Sequence, residues 1–261
     1  MSPFLRPRPV SDPLVRLFVF HHAGGSASAY HPLAGALPAD WEVVLVDLPG
    51  HGRRHAEPPV PDMARLVDVV AREVAPHAVA DQAPYALFGH SMGAVVAAEV
   101  GRRLAEGFRP PAWVGVSGRS APLAERPAAL WSELSDAQLS TVLLDLGGIP
   151  AWIRGEPDLF ERFLRLARAD LEALGTCTVD PDRTRLPCPL TAFGGLTDRS
   201  APPSSLPAWK HETAEQYRQC FLPGGHFYFL GAFPALAGEI RYEVRSALGR
   251  ASAAVYDARP V

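Results

Sequence analysis

The sequence predicts an α/β protein, with a mostly parallel central sheet, helices on both faces and a helical lid insertion, and three observations carry that prediction. Short apolar runs rich in β-branched and aromatic residues alternate with stretches of helical spacing. The alternation stops after Gly118 and resumes only near Leu190. The intervening stretch has start and stop signals for helices of its own.

In chain order, Val15 to Phe20, Trp41 to Leu48, Tyr85 to Gly89, Trp113 to Ser117 and Leu190 to Gly194 read as buried strands, each followed by glycine, proline or polar residues. Between them, Asp62 to Val79 places Leu66, Val69, Val70, Glu73 and Val74 at helical spacing, and a second helix runs from Gly93 to Glu106 and ends at Gly107. Strands alternating with helices imply a parallel sheet covered on both faces.

About 70 residues separate Gly118 from Leu190, too many for a plain loop in a compact domain. Ser135-Asp136-Ala137-Gln138 is a capping box that opens a helix through Leu146, which Gly147-Gly148 and Pro150 close. Pro157 to Leu174 forms another, with Leu159, Phe160, Phe163, Leu164, Leu166, Ala167 and Leu171 as its apolar positions. The expectation is a lid at about 122–185 over the carboxyl ends of the strands. The alternative is two ordinary helices packed on the sheet.

With 261 residues, 48% of them apolar, the chain can bury one large core, so a single domain over 1–261 is expected. A net charge of −3 lacks the basic excess by which a nucleic-acid binder neutralises phosphates. Cys177, Cys188 and Cys220 are odd in number, form no C-x-x-C pair and read as reduced thiols. Met1 to Val10 has no apolar signal region, and no stretch approaches about 18 consecutive apolar residues, so a cytoplasmic protein without a membrane partner is expected.

Gly89-His90-Ser91-Met92-Gly93 lies between a strand and a helix start rich in small residues, the context of a nucleophile elbow in the α/β-hydrolase fold. Glycines two before and two after the serine let strand and helix approach without Cβ clashes. A serine hydroxyl needs a base, and the base an orienting carboxylate. In this fold the order is serine, acid, histidine. Of the late histidines, His226 in Pro223-Gly224-Gly225-His226-Phe227 follows the strand-like Gln219 to Leu222, whereas His211 is expected on a helix surface. Asp198 follows a strand at its carboxyl end, where ligands bind in open α/β sheets. Asp180 and Asp182 are rivals that precede the same strand. The oxyanion hole is assigned to the N–H groups of Met92 and Ala23, the latter in the loop His21 to Gly25. His21 and His22 could instead be metal ligands, but no H-x-H or H-E-x-x-H pattern supports that, and neither metal nor cofactor is expected.

Together these motifs resemble the discrete type II thioesterases that accompany polyketide synthases and nonribosomal peptide synthetases. Phe20 to Ala27 resembles the family's aromatic-proline-x-alanine-glycine-glycine loop, with His21 where proline is usual. Asp47-Leu48-Pro49-Gly50-His51-Gly52-Arg53-Arg54 is similar to its Leu-Pro-Gly-Arg loop, with His51 in the arginine's place. Ser117 to Pro122, Leu146 to Pro150 and Arg168 to Leu174 resemble segments entering and forming the lid, and Pro223 to Phe227 resembles the histidine loop. The resemblance implies hydrolysis of acyl groups from the phosphopantetheine arm of acyl or peptidyl carrier proteins, clearing stalled or wrong units. Arg53, Arg54 and Arg119 are candidate contacts to the carrier's phosphate and acidic surface, or else solvated surface charges. A general carboxylesterase or lipase, a medium-chain fatty acyl-carrier hydrolase and a non-enzymatic binding member of the fold remain as alternatives.

Overall fold

Strands of near-continuous apolar character need cover on both faces, and each residue of five successive parallel strands is buried. The computed structural model describes residues 2–122, 134–149, 153, 155–178, 180 and 182–257, the last seven as backbone. Its strands are β1 (Phe4–Leu5), β2 (Val15–Phe20), β3 (Trp41–Val46), β4 (Tyr85–His90), β5 (Trp113–Ser117), β6 (Leu190–Gly195) and β7 (Tyr217–Leu222). They form one sheet in the order β1-β3-β2-β4-β5-β6-β7, with β1 antiparallel and the rest parallel.

Alternate residues of each strand feed two cores. Phe18, Phe20, Val44, Leu87 and Val114 face α2 (Met63–Ala78) and α3 (Met92–Gly107). Leu17, Val19, Val43, Phe88 and Trp113 face α1 (His31–Ala36) and α6 (Phe233–Asp257). Each such side chain contributes roughly 1.5–3 kcal/mol by leaving water. The α/β-hydrolase architecture expected from the sequence is the one observed.

Differences are local. β3 stops at Val46: the Asp47 N–H still donates to Pro3 O (2.8 Å), but proline has no N–H to return, and the Asp47 carboxylate folds back onto the N–H groups of Ala27 and Arg53. β1, α1 and α6 are additions to the elements read from the sequence, and His211 lies, exposed, on a 3₁₀ helix over Pro203–Glu212. Within the anticipated lid, α4 (Asp136–Leu146) begins with the full capping box and ends at a left-handed Gly147, while Pro150 lies outside the described residues. The next helix, α5 (Pro157–Gly175), lies on the loops that follow β2 and β3. Among the described residues no helix is long and apolar enough to cross a membrane.

Candidate active site

β4 ends at His90 and α3 begins at Met92, leaving Ser91 alone at the junction with φ 55° and ψ −117°. It is the only non-glycine residue with positive φ among the described residues, a conformation that costs on the order of 1–3 kcal/mol and persists only if its surroundings enforce it. They do. The Ser91 N–H donates to Ser117 O on β5 (2.7 Å), and the Ala94 N–H donates to Ser91 O (3.0 Å). A Cβ on Gly89 would run into the carbonyl of Gly93, and one on Gly93 into that of Phe20, so the crossing exists only with glycine at both positions. The result is a half-buried hydroxyl at the positive end of a 16-residue helix, beside the free N–H of Met92.

Asp198 and His226 come from the loops after β6 and β7, the two strands on the far side of β5. His226 Nδ1 lies 2.8 Å from Asp198 Oδ2, with both side chains buried. The other carboxylate oxygen accepts from the N–H of Ser200 (2.9 Å), the Ser200 hydroxyl (2.8 Å) and the N–H of Ala201 (3.1 Å). Burial alone would raise the Asp198 carboxyl, but the bond and charge of His226, helped by Ala201 and Ser200, outweigh it and hold the group below the usual carboxylate range. With Nδ1 engaged by the carboxylate, Nε2 is the ring nitrogen left for a substrate-side partner. The rivals lie elsewhere: Asp180 and Asp182 sit in an exposed turn ahead of β6, and His211 is on the surface.

His90, one residue before Ser91, is fully buried with its ring centroid 4.8 Å from that of His226. Its Nδ1 lies 2.8 Å from Ser117 Oγ, which in turn lies 2.8 Å from the Tyr228 hydroxyl. Burial, reinforced by the neighbouring His226 and His22, pushes His90 well below the ordinary histidine range, so it is a neutral wall. This polar relay ties β4, β5 and the segment carrying His226 together.

The early loop is pinned as closely. His21 Nδ1 donates to His22 O (2.8 Å), and its Nε2 accepts the Leu48 N–H (3.2 Å). The Gly25 N–H also donates to His22 O (3.0 Å). The Gly24 N–H reaches Asp170 Oδ2 on α5 (2.7 Å), and the same oxygen lies 3.0 Å from His51 Nε2. Burial takes His21 and His22 down to about 3, whereas His51, which burial alone would lower, is raised by Asp170. Among the described residues no three His, Cys, Asp or Glu side chains converge as metal ligands.

A cavity of about 670 Å³ opens beside this loop, lined by His22, Phe163, Leu166, Ile153, Phe227 and Phe229 among others. Its apolar walls suit an acyl chain. Of the basic candidates, Arg53 is exposed and donates to Phe4 O, and Arg119 is half-buried with its carbonyl held by Trp209. Arg54 is not on a free rim. It is buried, with its guanidinium committed to Glu57 (2.7 Å) and Glu73 (2.9 Å).

Sequence reasoning missed Ser200, His90, Ser117, Tyr228 and Asp170. Ser200 had a local signal, since an aspartate two residues before a serine commonly closes a turn with it. The other contacts are between residues distant in sequence.

A family model described as Thioesterase domain matches residues 15–243. The gramicidin S biosynthesis protein GrsT of Aneurinibacillus migulanus is 34% identical over 215 residues, covering 82% of each chain. A probable cadicidin biosynthesis thioesterase of Streptomyces griseus is 34% identical over 235 residues, which is 90% of this chain and 64% of that protein's length. Among solved structures, the type II thioesterase BorB from the borrelidin biosynthetic cluster superposes with a TM-score of 0.82 at 33% identity, covering 94% of this chain and 98% of that one.

Proposed function

The chain belongs to the Thioesterase domain family and is a thioester hydrolase, and from that premise we propose that it releases acyl groups from the phosphopantetheine arm of acyl or peptidyl carrier proteins. In this reading it clears stalled or aberrant units during polyketide or nonribosomal peptide assembly, in the cytoplasm. The chain is taken as one domain over 1–261 with a lid inserted at about 122–185. The observation that carries the reading is the strained Ser91 at the head of α3, on the same edge of the sheet as the buried His226–Asp198 pair and an apolar cavity.

Ser91, His226 and Asp198 act as nucleophile, base and orienting acid. His226 Nε2 takes the Ser91 proton as Oγ attacks the thioester carbonyl, and the N–H groups of Met92 and Ala23 hold the oxyanion. Collapse breaks the carbon–sulfur bond, and the proton on His226 leaves with the phosphopantetheine thiol. Water then gives a proton to His226 and its hydroxyl to the acyl carbon, and the acid departs as Ser91 is reprotonated. The chemistry needs no metal or cofactor. Asp198 holds the imidazole in the tautomer that leaves Nε2 unprotonated at the start.

Arg53 and Arg119 are the candidate contacts to the carrier's phosphate and acidic surface, and Arg54 holds the Arg53 loop through its ion pairs. A panel of acyl-phosphopantetheinyl carrier proteins, set beside the matching acyl-pantetheines and nitrophenyl esters, tests the proposal. A kcat/KM at least tenfold higher on carrier-bound thioesters is expected. Preference for the nitrophenyl esters would overturn it in favour of a general esterase.

A further inference from the structure

Helix α5 reaches into the early loop with one carboxylate. Asp170 is 3% exposed, and a buried carboxylate is costly unless its oxygens are used. Oδ2 accepts from the Gly24 N–H at 2.7 Å, within the short range of charge-assisted bonds, and from His51 Nε2 at 3.0 Å. The other nitrogen of His51 faces Pro49 O at 2.9 Å. A carbonyl and a carboxylate only accept, so both ring nitrogens of His51 donate and the ring is an imidazolium. The two residues that depart from the resembled motifs, His21 and His51, thus stand side by side, with ring centroids 4.8 Å apart.

The bonds converge on two consecutive peptides. The peptide that carries the Ala23 N–H is fixed through its carbonyl, His22 O, which accepts from His21 Nδ1 and the Gly25 N–H. The next peptide is fixed through the Gly24 N–H by Asp170. Packing alone would seat α5 here, since a Cβ on Gly24 would lie 2.8 Å from Phe163 Cε2 and 3.1 Å from Ala167 Cβ. The carboxylate adds a directional bond to a single peptide, which packing cannot supply.

We propose that Asp170 is a positioning residue for hydrolysis: from the lid helix it orients the peptides around Ala23, so the oxyanion hole is complete only while α5 is seated on the loop. Hydrolysis is thereby coupled to lid position, and a raised α5 leaves a binding site that does not turn over. The inference rests on the assignment of Ser91 and Ala23 made above.

The test uses Asp170→Asn in the full chain, with a nitrophenyl ester as substrate and a trifluoromethyl ketone as a probe whose serine adduct carries the oxyanion. The expected result is a drop in kcat of about 10–100-fold with KM within about threefold, and a matching loss of ketone affinity. His51→Gln should show the same pattern in weaker form, and it decides the matter if Asp170→Asn does not fold. Leu164→Ala, which removes buried packing from the same helix but keeps the Asp170 bond to Gly24, should lower the melting temperature and leave ketone affinity unchanged. Unchanged kcat and ketone affinity in folded Asp170→Asn, a loss confined to KM, or an equal loss in Leu164→Ala would overturn the inference. Ser91→Ala separates the two levels: if that variant stays active the nucleophile assignment fails, and if it is inactive while Asp170→Asn is unimpaired, only the coupling fails.

Discussion

Nδ1 of His226 and Oδ2 of Asp198 meet at 2.8 Å across 28 residues of chain, withdrawn from solvent, and the carboxylate's second oxygen is saturated by Ser200 and Ala201. Asp198→Asn would keep the shape but let the ring settle in the wrong tautomer. We expect kcat to fall by about 10⁴-fold, the order seen when such an acid is amidated in serine hydrolases, with little change in KM. Ser200→Ala removes only one of three donors to Oδ1, and a drop of about tenfold or less is expected in the same steady-state assay.

Ser91 stores strain that its own removal should release. Ser91→Gly relieves the positive φ, worth about 1–3 kcal/mol, against roughly 0.5–1 kcal/mol of added chain entropy. The variant should melt higher than the wild type while losing more than a thousandfold in rate. A lower melting temperature would contradict the strained-elbow account.

Gly93→Ala is the opposite case. Its Cβ would collide with the carbonyl oxygen of Phe20, backbone against backbone, so relief requires α3 to move off β2. Destabilisation of several kcal/mol, about 3 or more, is expected in urea unfolding, together with loss of activity.

His51 makes stability depend on pH in a defined direction. Burial would lower its folded value, but Asp170 from α5, with help from Asp47 at the end of β3, raises it, while its other titrating neighbours are His21 and His22 from the loop after β2. Below the ordinary histidine value near 6.5 the contribution is fully present, and it is lost as pH rises through the raised value. The stability advantage of the wild type over His51→Gln should therefore be greatest near pH 6 and shrink toward pH 9 in urea titrations. An advantage that grows with pH would exclude the imidazolium.

The cavity walls predict chain-length control. Leu166 on α5 and Phe227 beside His226 face the same 670 Å³ space. Leu166→Trp should cut kcat/KM for decanoyl substrates relative to acetyl ones by about tenfold or more, since each methylene in such a pocket is worth roughly 1–3 kcal/mol. Equal losses on both chains would place the acyl group elsewhere.

The five core strands are legible because parallel strands covered on both faces read as continuous apolar runs, and the elbow because its steric demand is met by glycines at fixed spacing. β1 is not, since two residues carry no periodicity, and its partner Val46 lies 42 positions after Phe4. α6 has Leu236, Ile240, Val244 and Ala247 at helical spacing, but its start is unmarked by a capping residue. Within the proposed site, the candidates Ser91, Asp198 and His226 are read from chain order and strand ends. Arg54 does not read as buried, because its partners Glu57 and Glu73 belong to different elements. Asp170 sits 146 residues from the peptide it holds, a contact with no local trace.

The strand order has a consequence for synthesis of the chain. On the proposed triad, Ser91 emerges early, after β4, whereas Asp198 and His226 follow β6 and β7, in the last quarter of the polypeptide, and reach it across the parallel β5–β6 pairing. Such long-range pairing is slow compared with local helix formation. A nascent chain still on the ribosome can therefore form its elbow and have no hydrolytic power, and in refolding from denaturant the return of turnover should be among the last signals to recover.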